Sequence, residues 1–311
     1  MKTVIFVGGS SYSGSTLFCL TLANDRKGFS TGEVQHLFHP VAERHANFET
    51  KCGCGDPNCH IWHQVKAAGE KNVFTKLFEL MPEVEFIVDS SKNPLWIDYH
   101  SKILRQQGIA VKNILMWKTP LEFARSCEKR GILDQWEKMW VTYHRLYRTL
   151  IPEPWRSIPY KEYTTDPTAL ARVCDFLEIP YFEEKKEYWN KTHHVLGGNH
   201  SARIHLYSPE SKQYAQAKSN LPDQKQQAAP ELHKKVYYRS EEDEAFRTAV
   251  LQQVEQSPYI DPILKMLDDH RLTAPAPTQS NGQALALSKV NVELRKINQQ
   301  YKFLRGQLKF G

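Results

Sequence analysis

The chain has no apolar run approaching the roughly 18 residues that cross a bilayer, so no transmembrane helix is expected in its 311 residues. The opening stretch, Met1 to Val7, reads as a short buried strand. It lacks the longer apolar run and the small-residue cleavage site of a secretory signal. Cysteine is sparse: Cys52, Cys54 and Cys59 cluster, while Cys19, Cys127 and Cys174 are scattered. Without a secretion signal these are expected to be reduced thiols, and the expected compartment is the cytoplasm. There is no Lys/Arg run and no zinc-finger spacing, so nucleic acid is not an expected partner. No internal repeat is present. The remaining composition is that of a globular protein, 41% hydrophobic and 24% charged. A formal charge of +6 and 11% aromatics suit an anionic ligand.

Val4-Ile5-Phe6-Val7 runs into Gly8-Gly9, and a helical pattern follows from Ser15 to about Asn24. Strand, glycine turn and helix open a parallel α/β sheet. Further strands are expected at Phe86-Ile87-Val88, ending in Asp89-Ser90-Ser91-Lys92, and at Ile114 to Trp117, ending in Lys118-Thr119-Pro120. A fourth lies near Ile158 and leads through Tyr160 to Asp166-Pro167 and a helix carrying Phe176-Leu177. Apolar strands alternating with helices predict a central parallel sheet covered on both faces. In such sheets ligands bind at the carboxyl ends of the strands, where these polar clusters fall.

From about Tyr207 to Glu241 the pattern dissolves into Gln, Lys, Ser and Pro, a loop-rich excursion that reads equally as a lid or a surface insertion. The organisation expected is one α/β domain over 1–272, a linker over 273–284 and an amphipathic C-terminal helix over 285–311. In that helix Val290, Leu294, Ile297, Tyr301, Leu304 and Leu308 form an a/d stripe. It serves either docking onto the domain or a homodimer.

Gly9-Ser-Ser-Tyr-Ser-Gly14-Ser15-Thr16 has the skeleton of a phosphate loop, with backbone N–H groups and the positive end of a helix forming an anion cradle. A nucleoside-triphosphate kinase needs Lys directly after the second glycine. Here that position is Ser15, and the loop holds no lysine. It can hold a phosphate but is poorly equipped to clamp a triphosphate with magnesium.

Tyr12-Ser13-Gly14-Ser15-Thr16-Leu17 resembles the 5′-phosphosulfate loop of the sulfotransferases that use 3′-phosphoadenosine-5′-phosphosulfate (PAPS), commonly Arg/Lys-Ser-Gly-Ser/Thr-Thr-Leu. Lys118-Thr119-Pro120, with Ser126 eight residues beyond Lys118, is similar to the family's Arg-Asp-Pro and Ser that grip the 3′-phosphate. Tyr160, opening Tyr-Lys-Glu-Tyr…Asp-Pro, resembles the tyrosine that borders the adenine. Gly198-Asn199 with Arg203 is similar to a Gly-Asn-x-x-x-Arg segment near the 3′-phosphate in bacterial members. Cys52, Cys54, Gly55, Cys59 and Trp62 also resemble an element of bacterial relatives. The resemblance spans residues 3 to about 255. It implies a P-loop-like sulfotransferase fold, PAPS as co-substrate, no metal requirement, and a small-molecule or saccharide acceptor offering a hydroxyl or amine.

Two positions depart from the family pattern. Tyr12 stands where most members carry Arg or Lys, and Lys118 replaces an Arg, giving a point charge in place of a bidentate fork. Tyr12 carries no charge, so another cation is required.

Sulfuryl transfer asks for in-line geometry, charge stabilisation and a base for the acceptor hydroxyl. The resemblance implies a base at Glu33, since tyrosylprotein and heparan-type members carry a catalytic glutamate at a similar point after the loop. A solvated glutamate or a cap contact is the alternative. Lys92 is the candidate for the missing cation, against a lysine pointing to solvent. Ser90 and Ser91 read alternatively as caps of the following helix. His193 and His194 are a rival base pair. Cys52, Cys54, Cys59 and His60 read either as a tetrahedral zinc set or as a thiol-rich loop over the acceptor pocket, and the tight Cys-x-Cys spacing favours the loop. Phe38, Trp62, Trp96, Trp136 and Trp140 line that pocket or fill the core. The alternatives to a sulfotransferase are a P-loop small-molecule kinase and a non-catalytic nucleotide-binding or assembly protein.

Overall fold

The computed structural model describes residues 1–56, 58–221 and 244–272. The expected linker and C-terminal helix, with its docking or dimer role, therefore lie outside the described residues, as does most of the excursion after Tyr207.

Five parallel strands form the sheet: β1 (Thr3–Gly8), β2 (Gly28–Gly32), β3 (Phe86–Lys92), β4 (Ala110–Trp117) and β5 (Trp155–Pro159). Their order is β2-β3-β1-β4-β5. Val4 pairs with Ile87 on one side of β1 and Val111 on the other. Between the strands run α1 (Ser15–Leu22), α2 (Gln35–Phe38), α3 (Ile61–Ala68), α4 (Val73–Leu80), α5 (Pro94–Gln106), α6 (Pro120–Glu128) and α7 (Trp136–Leu150). After β5 come α8 (Tyr160–Thr165), α9 (Ala169–Leu177), α10 (His200–Arg203), α11 (Lys212–Ser219), α12 (Glu244–Gln256) and α13 (Ile260–Asp269).

The period-two alternation of strand side chains divides the core. Ile5 and Val7 of β1 face Phe18 and Leu22 of α1 and Val173 and Leu177 of α9. Val4 and Phe6 face the other way, into a cluster with Phe74 of α4, Ile97 of α5, Phe123 of α6 and Tyr147 of α7. Val4 to Val7 are fully buried, and each such side chain contributes about 1.5–3 kcal/mol. This is why β1 reads as an unbroken apolar run, and the expected helix-covered parallel sheet is the one observed.

The sheet also holds a strand that was not expected: the edge strand β2 lies between α1 and Glu33. Gly-Phe-Ser-Thr-Gly has no apolar run to announce it; its pairing with β3 makes it a strand. The excursion after Tyr207 contains a helix, α11, capped by the Ser211 hydroxyl, which accepts from the Tyr214 N–H. No helix among the described residues is long and apolar enough to cross a membrane.

The order places β1 between β3 and β4: the chain passes from β1 to the β2 edge, and later from β3 across to β4 on the other side. This makes the carboxyl end of β1 the switch point where ligands bind in such sheets. Each strand delivers a polar candidate to that edge. β1 leads into the loop with Tyr12, β2 ends one residue before Glu33, and β3 ends on Lys92 itself. β4 ends before Lys118 and β5 before Tyr160.

Candidate functional site

The glycine loop connects β1 to an uncapped helix. Gly14 is the N-cap of α1 at φ 95°, with no side chain capping the first turn, so the leading N–H groups of α1 face outward. A Cβ on Gly14 would lie 2.2 Å from Tyr160 Cδ2. Only glycine combines that left-handed backbone with so close an approach. The Ser10 and Ser13 hydroxyls are buried and have no hydrogen-bond partner among the described residues. Unspent donors in a tight turn before an open helix end suit an anionic oxygen.

From this turn a chain of contacts leads to the second cluster and back. Tyr160 touches Gly14, and the Lys118 ammonium lies 4.9 Å from the centre of the Tyr160 ring. Lys118 Nζ donates to Ser126 Oγ at 3.1 Å. One helical turn on, Arg130 donates to the Ser126 carbonyl at 2.6 Å, and its guanidinium lies 3.8 Å over the Tyr12 ring. Tyr12, Gly14, Tyr160, Lys118, Ser126 and Arg130 thus enclose one region at the carboxyl edge. Burial, helped by the charge of Glu122, pushes the Tyr160 hydroxyl up to about 12, so it stays neutral.

Helix α6 fixes this geometry locally. Thr119 is its N-cap in a reciprocal box with Glu122, and Pro120 opens the first turn. The Lys118 carbonyl accepts from the buried Trp140 indole at 2.9 Å. Trp140, Trp136 and Trp62 are core residues, whereas Trp96 lines a cavity and Phe38 is half-buried.

Glu33 and Lys92 form the third part. Lys92 Nζ donates to Glu33 Oε1 at 2.5 Å. Burial raises the Glu33 carboxyl, but the Lys92 charge and its hydrogen bond outweigh that and hold the group at about 2. Lys92 therefore does not point to free solvent; it sits at φ 65°, a strained conformation for a non-glycine residue. Its carbonyl accepts from Tyr143 Oη at 2.7 Å, and the same hydroxyl accepts from the Gly9 N–H at 2.6 Å. Tyr143 of α7 hence ties the start of the glycine loop to Lys92.

The turn before Lys92 is organised by Asp89, whose carboxylate accepts from the Ser91 N–H, the Ser91 hydroxyl and the Thr31 hydroxyl. Burial outweighs these bonds and lifts Asp89 to about 6. The N-cap of α5 is Asn93, not Ser90 or Ser91. Ser91 Oγ instead accepts from the Gln35 N–H, fixing the turn after Glu33.

The Gly198–Asn199 segment reaches the loop through the Asn199 N–H, which donates to Thr16 Oγ1 at 2.9 Å. Gly198, at φ 97°, permits this, because a Cβ there would meet Thr16 Cγ2 at 2.8 Å. Arg203 donates to Tyr207 Oη at 2.6 Å while its Nε is buried without a partner among the described residues.

The rival histidine bases are engaged elsewhere. His193 is buried with Nε2 2.9 Å from the Tyr188 carbonyl, and burial pushes it down to about 3. His194 lies against the cysteines: its Nδ1 is 3.5 Å from Cys52 Sγ and 3.4 Å from Cys59 Sγ. The expected fourth member, His60, is exposed and faces the Asn58 carbonyl. The histidine beside the three cysteines is thus His194, and sequence reasoning gave no part to Arg130 or Tyr143. Arg130 had a weak signal, a cation placed just past the Lys118–Ser126 helix.

A cavity of about 380 Å³ is lined by Gln35, His39, Glu70, Asn93, Leu95, Trp96 and Tyr99. Gln35 and Asn93 belong to the turns that follow Glu33 and Lys92.

No family model matches the chain, and no curated protein matches it. Among solved structures, it is similar to a sulfotransferase domain from the Synechococcus PCC 7002 olefin synthase, at 16% identity and a TM-score of 0.46 over 82% of this chain and 94% of that one. It is similar also to a sulfotransferase domain from the curacin biosynthetic pathway, at 16% identity and a TM-score of 0.46 over 82% of this chain and 98% of that one.

Proposed function

We propose that this chain is a sulfotransferase that moves a sulfuryl group from PAPS to a hydroxyl or amine of a small-molecule or saccharide acceptor. The observation that carries the reading is the closed run of contacts from Tyr12 through Gly14, Tyr160, Lys118, Ser126 and Arg130. It joins an anion cradle without a lysine to a separate cationic cluster, as a nucleotide phosphorylated at both ends requires. A triphosphate clamp needs its cation inside the loop.

In this reading the N–H groups of the loop and the Ser13, Ser15 and Thr16 hydroxyls receive the 5′ end. Lys118 and Ser126 receive the 3′-phosphate, and Tyr160 borders the base. Arg130 supplies, through space, the positive charge that Tyr12 lacks. Arg203 closes the nucleotide side from α10. No metal ion is assigned a part in transfer.

Glu33 takes the acceptor proton while Lys92 neutralises charge developing on the transferring group. In the resting pair Glu33 is fully ionised but a weak base. As Lys92 turns toward the sulfuryl oxygens, its hold on Glu33 relaxes and the carboxylate gains basicity when the proton must move. The cavity by Trp96 receives the acceptor.

The test is thermal. Adenosine 3′,5′-bisphosphate without magnesium should raise the melting temperature, and PAPS should be desulfated when a suitable acceptor is supplied. Stabilisation by ATP with magnesium and none by the bisphosphate would refute the assignment.

A further inference from the structure

Three cysteines and one histidine meet at a place the proposed reaction does not use. The ligand atoms of Cys52, Cys54, Cys59 and His194 all lie within 4.8 Å of one another, each residue half-buried. The three cysteines share one loop, but His194 joins them from 135 positions beyond Cys59, so local sequence does not force it there. His194 Nδ1 is 3.5 Å from Cys52 Sγ and 3.4 Å from Cys59 Sγ. A tetrahedral zinc with Zn–S of about 2.3 Å and Zn–N of about 2.1 Å sets its sulfur and nitrogen ligands about 3.6 Å apart. The observed separations lie close to that figure.

The histidine is held for this role from behind. Its carbonyl accepts from the Trp62 indole at 3.0 Å, and its ring stacks on Phe29 with an interplanar angle of 8°. The cysteine loop is joined to the same segment by the backbone, with the Gly53 N–H donating to the Val195 carbonyl at 2.8 Å. On its other edge Leu196 pairs with β2, donating to the Thr31 carbonyl and accepting from the Glu33 N–H at 2.7 Å. The cluster therefore sits where the cysteine loop, the His194 segment and the end of β2 converge.

We propose that Cys52, Cys54, Cys59 and His194 bind one zinc ion in a closed structural site. Three thiolates and one imidazole complete a tetrahedron, with no open position for water or substrate. Binding releases the three thiol protons, and the neutral histidine ligates through Nδ1. Soft sulfur donors with imidazole select zinc over the hard cations. The ion staples the cysteine loop to the segment that grips the backbone of Glu33. The site stands independently of the reaction, and none of its tests uses turnover.

The full chain, purified under reducing conditions, is expected to carry one zinc per molecule by elemental analysis. Cobalt(II) substitution should give the intense visible bands of a tetrahedral thiolate site. C54S and H194A should lose the metal, and H60A should keep it. Because H194A can also lose metal by misfolding, H194C is the second variant: it should retain the ion, and its cobalt spectrum should gain a fourth thiolate contribution. Substoichiometric zinc in the wild type, metal retained by H194A, or a cobalt spectrum of H194C identical to that of the wild type would overturn the proposal. So would loss of zinc from H60A, or a disulfide among the three cysteines in the reduced, zinc-supplemented protein.

Discussion

Lys92 Nζ lies 2.5 Å from Glu33 Oε1, joining the carboxyl ends of the neighbouring strands β3 and β2. In the proposed reaction the pair combines a base for the acceptor with a cation for the donor, and the Lys92 charge holds the Glu33 carboxyl low.

Replacing Glu33 with Gln keeps the shape and removes the basic oxygen. Turnover of PAPS with a competent acceptor should fall by about 10²–10⁴-fold, while affinity for adenosine 3′,5′-bisphosphate stays unchanged. Steady-state kinetics and a binding titration on the same preparation check both halves.

Replacing Lys92 with Met removes the largest influence that lowers the buried Glu33 carboxyl and leaves the smaller ones of His36 and Arg44, so the carboxyl should move upward from about 2. In the wild type no acid limb from Glu33 should be visible in kcat/KM above about pH 4. In K92M the limb should shift to higher pH than in the wild type, together with a lower plateau. A profile of K92M that overlays that of the wild type would remove Lys92 from the mechanism.

The same pair makes a signed contribution to stability. A carboxyl held at about 2 in the folded state and near 4.5 when unfolded stabilises fully above about pH 4.5, and that part is lost as pH falls toward 2. Melting temperatures of wild type and E33Q should therefore converge through that window. The wild type should be the more stable above it.

Arg130 is expected to work on the nucleotide through its charge. R130A should weaken bisphosphate binding and reduce its dependence on salt, because one cation is withdrawn from the anion site. Tyr12→Arg restores the residue common in the resembled family and should compensate for R130A. Calorimetry at two salt concentrations reads both effects.

Gly14 is the point where the glycine loop closes on Tyr160. Gly14→Ala adds a Cβ 2.2 Å from Tyr160 at a left-handed φ, which should cost about 1–3 kcal/mol of stability. It should also displace Tyr160 and lower bisphosphate affinity. Chemical denaturation and a binding titration separate the two losses.

Most of the sheet was legible because Val4–Val7 of β1, Phe86–Val88 of β3 and Ile114–Trp117 of β4 are buried and read as apolar runs. β2 was not legible: Phe29 is the one large apolar residue among its five, and only pairing with β3 makes it a strand. The candidate site was legible where it sits beside its own strand, as Lys118 and Tyr160 do. It was illegible where the fold brings distant residues together. Arg130 reaches Tyr12 across the region, and His194 meets Cys59 from 135 positions away, whereas the adjacent His60 turns outward.

The most direct measurement of the central claim is a calorimetric comparison of adenosine 3′,5′-bisphosphate with adenosine 5′-phosphate, without magnesium, for wild type and K118A. If one nucleotide spans the loop and the Lys118–Ser126 pair, the wild type should prefer the bisphosphate by about tenfold or more, and K118A should lose most of that preference. Equal affinity of the wild type for the two nucleotides, or a preference that survives K118A intact, would contradict the account.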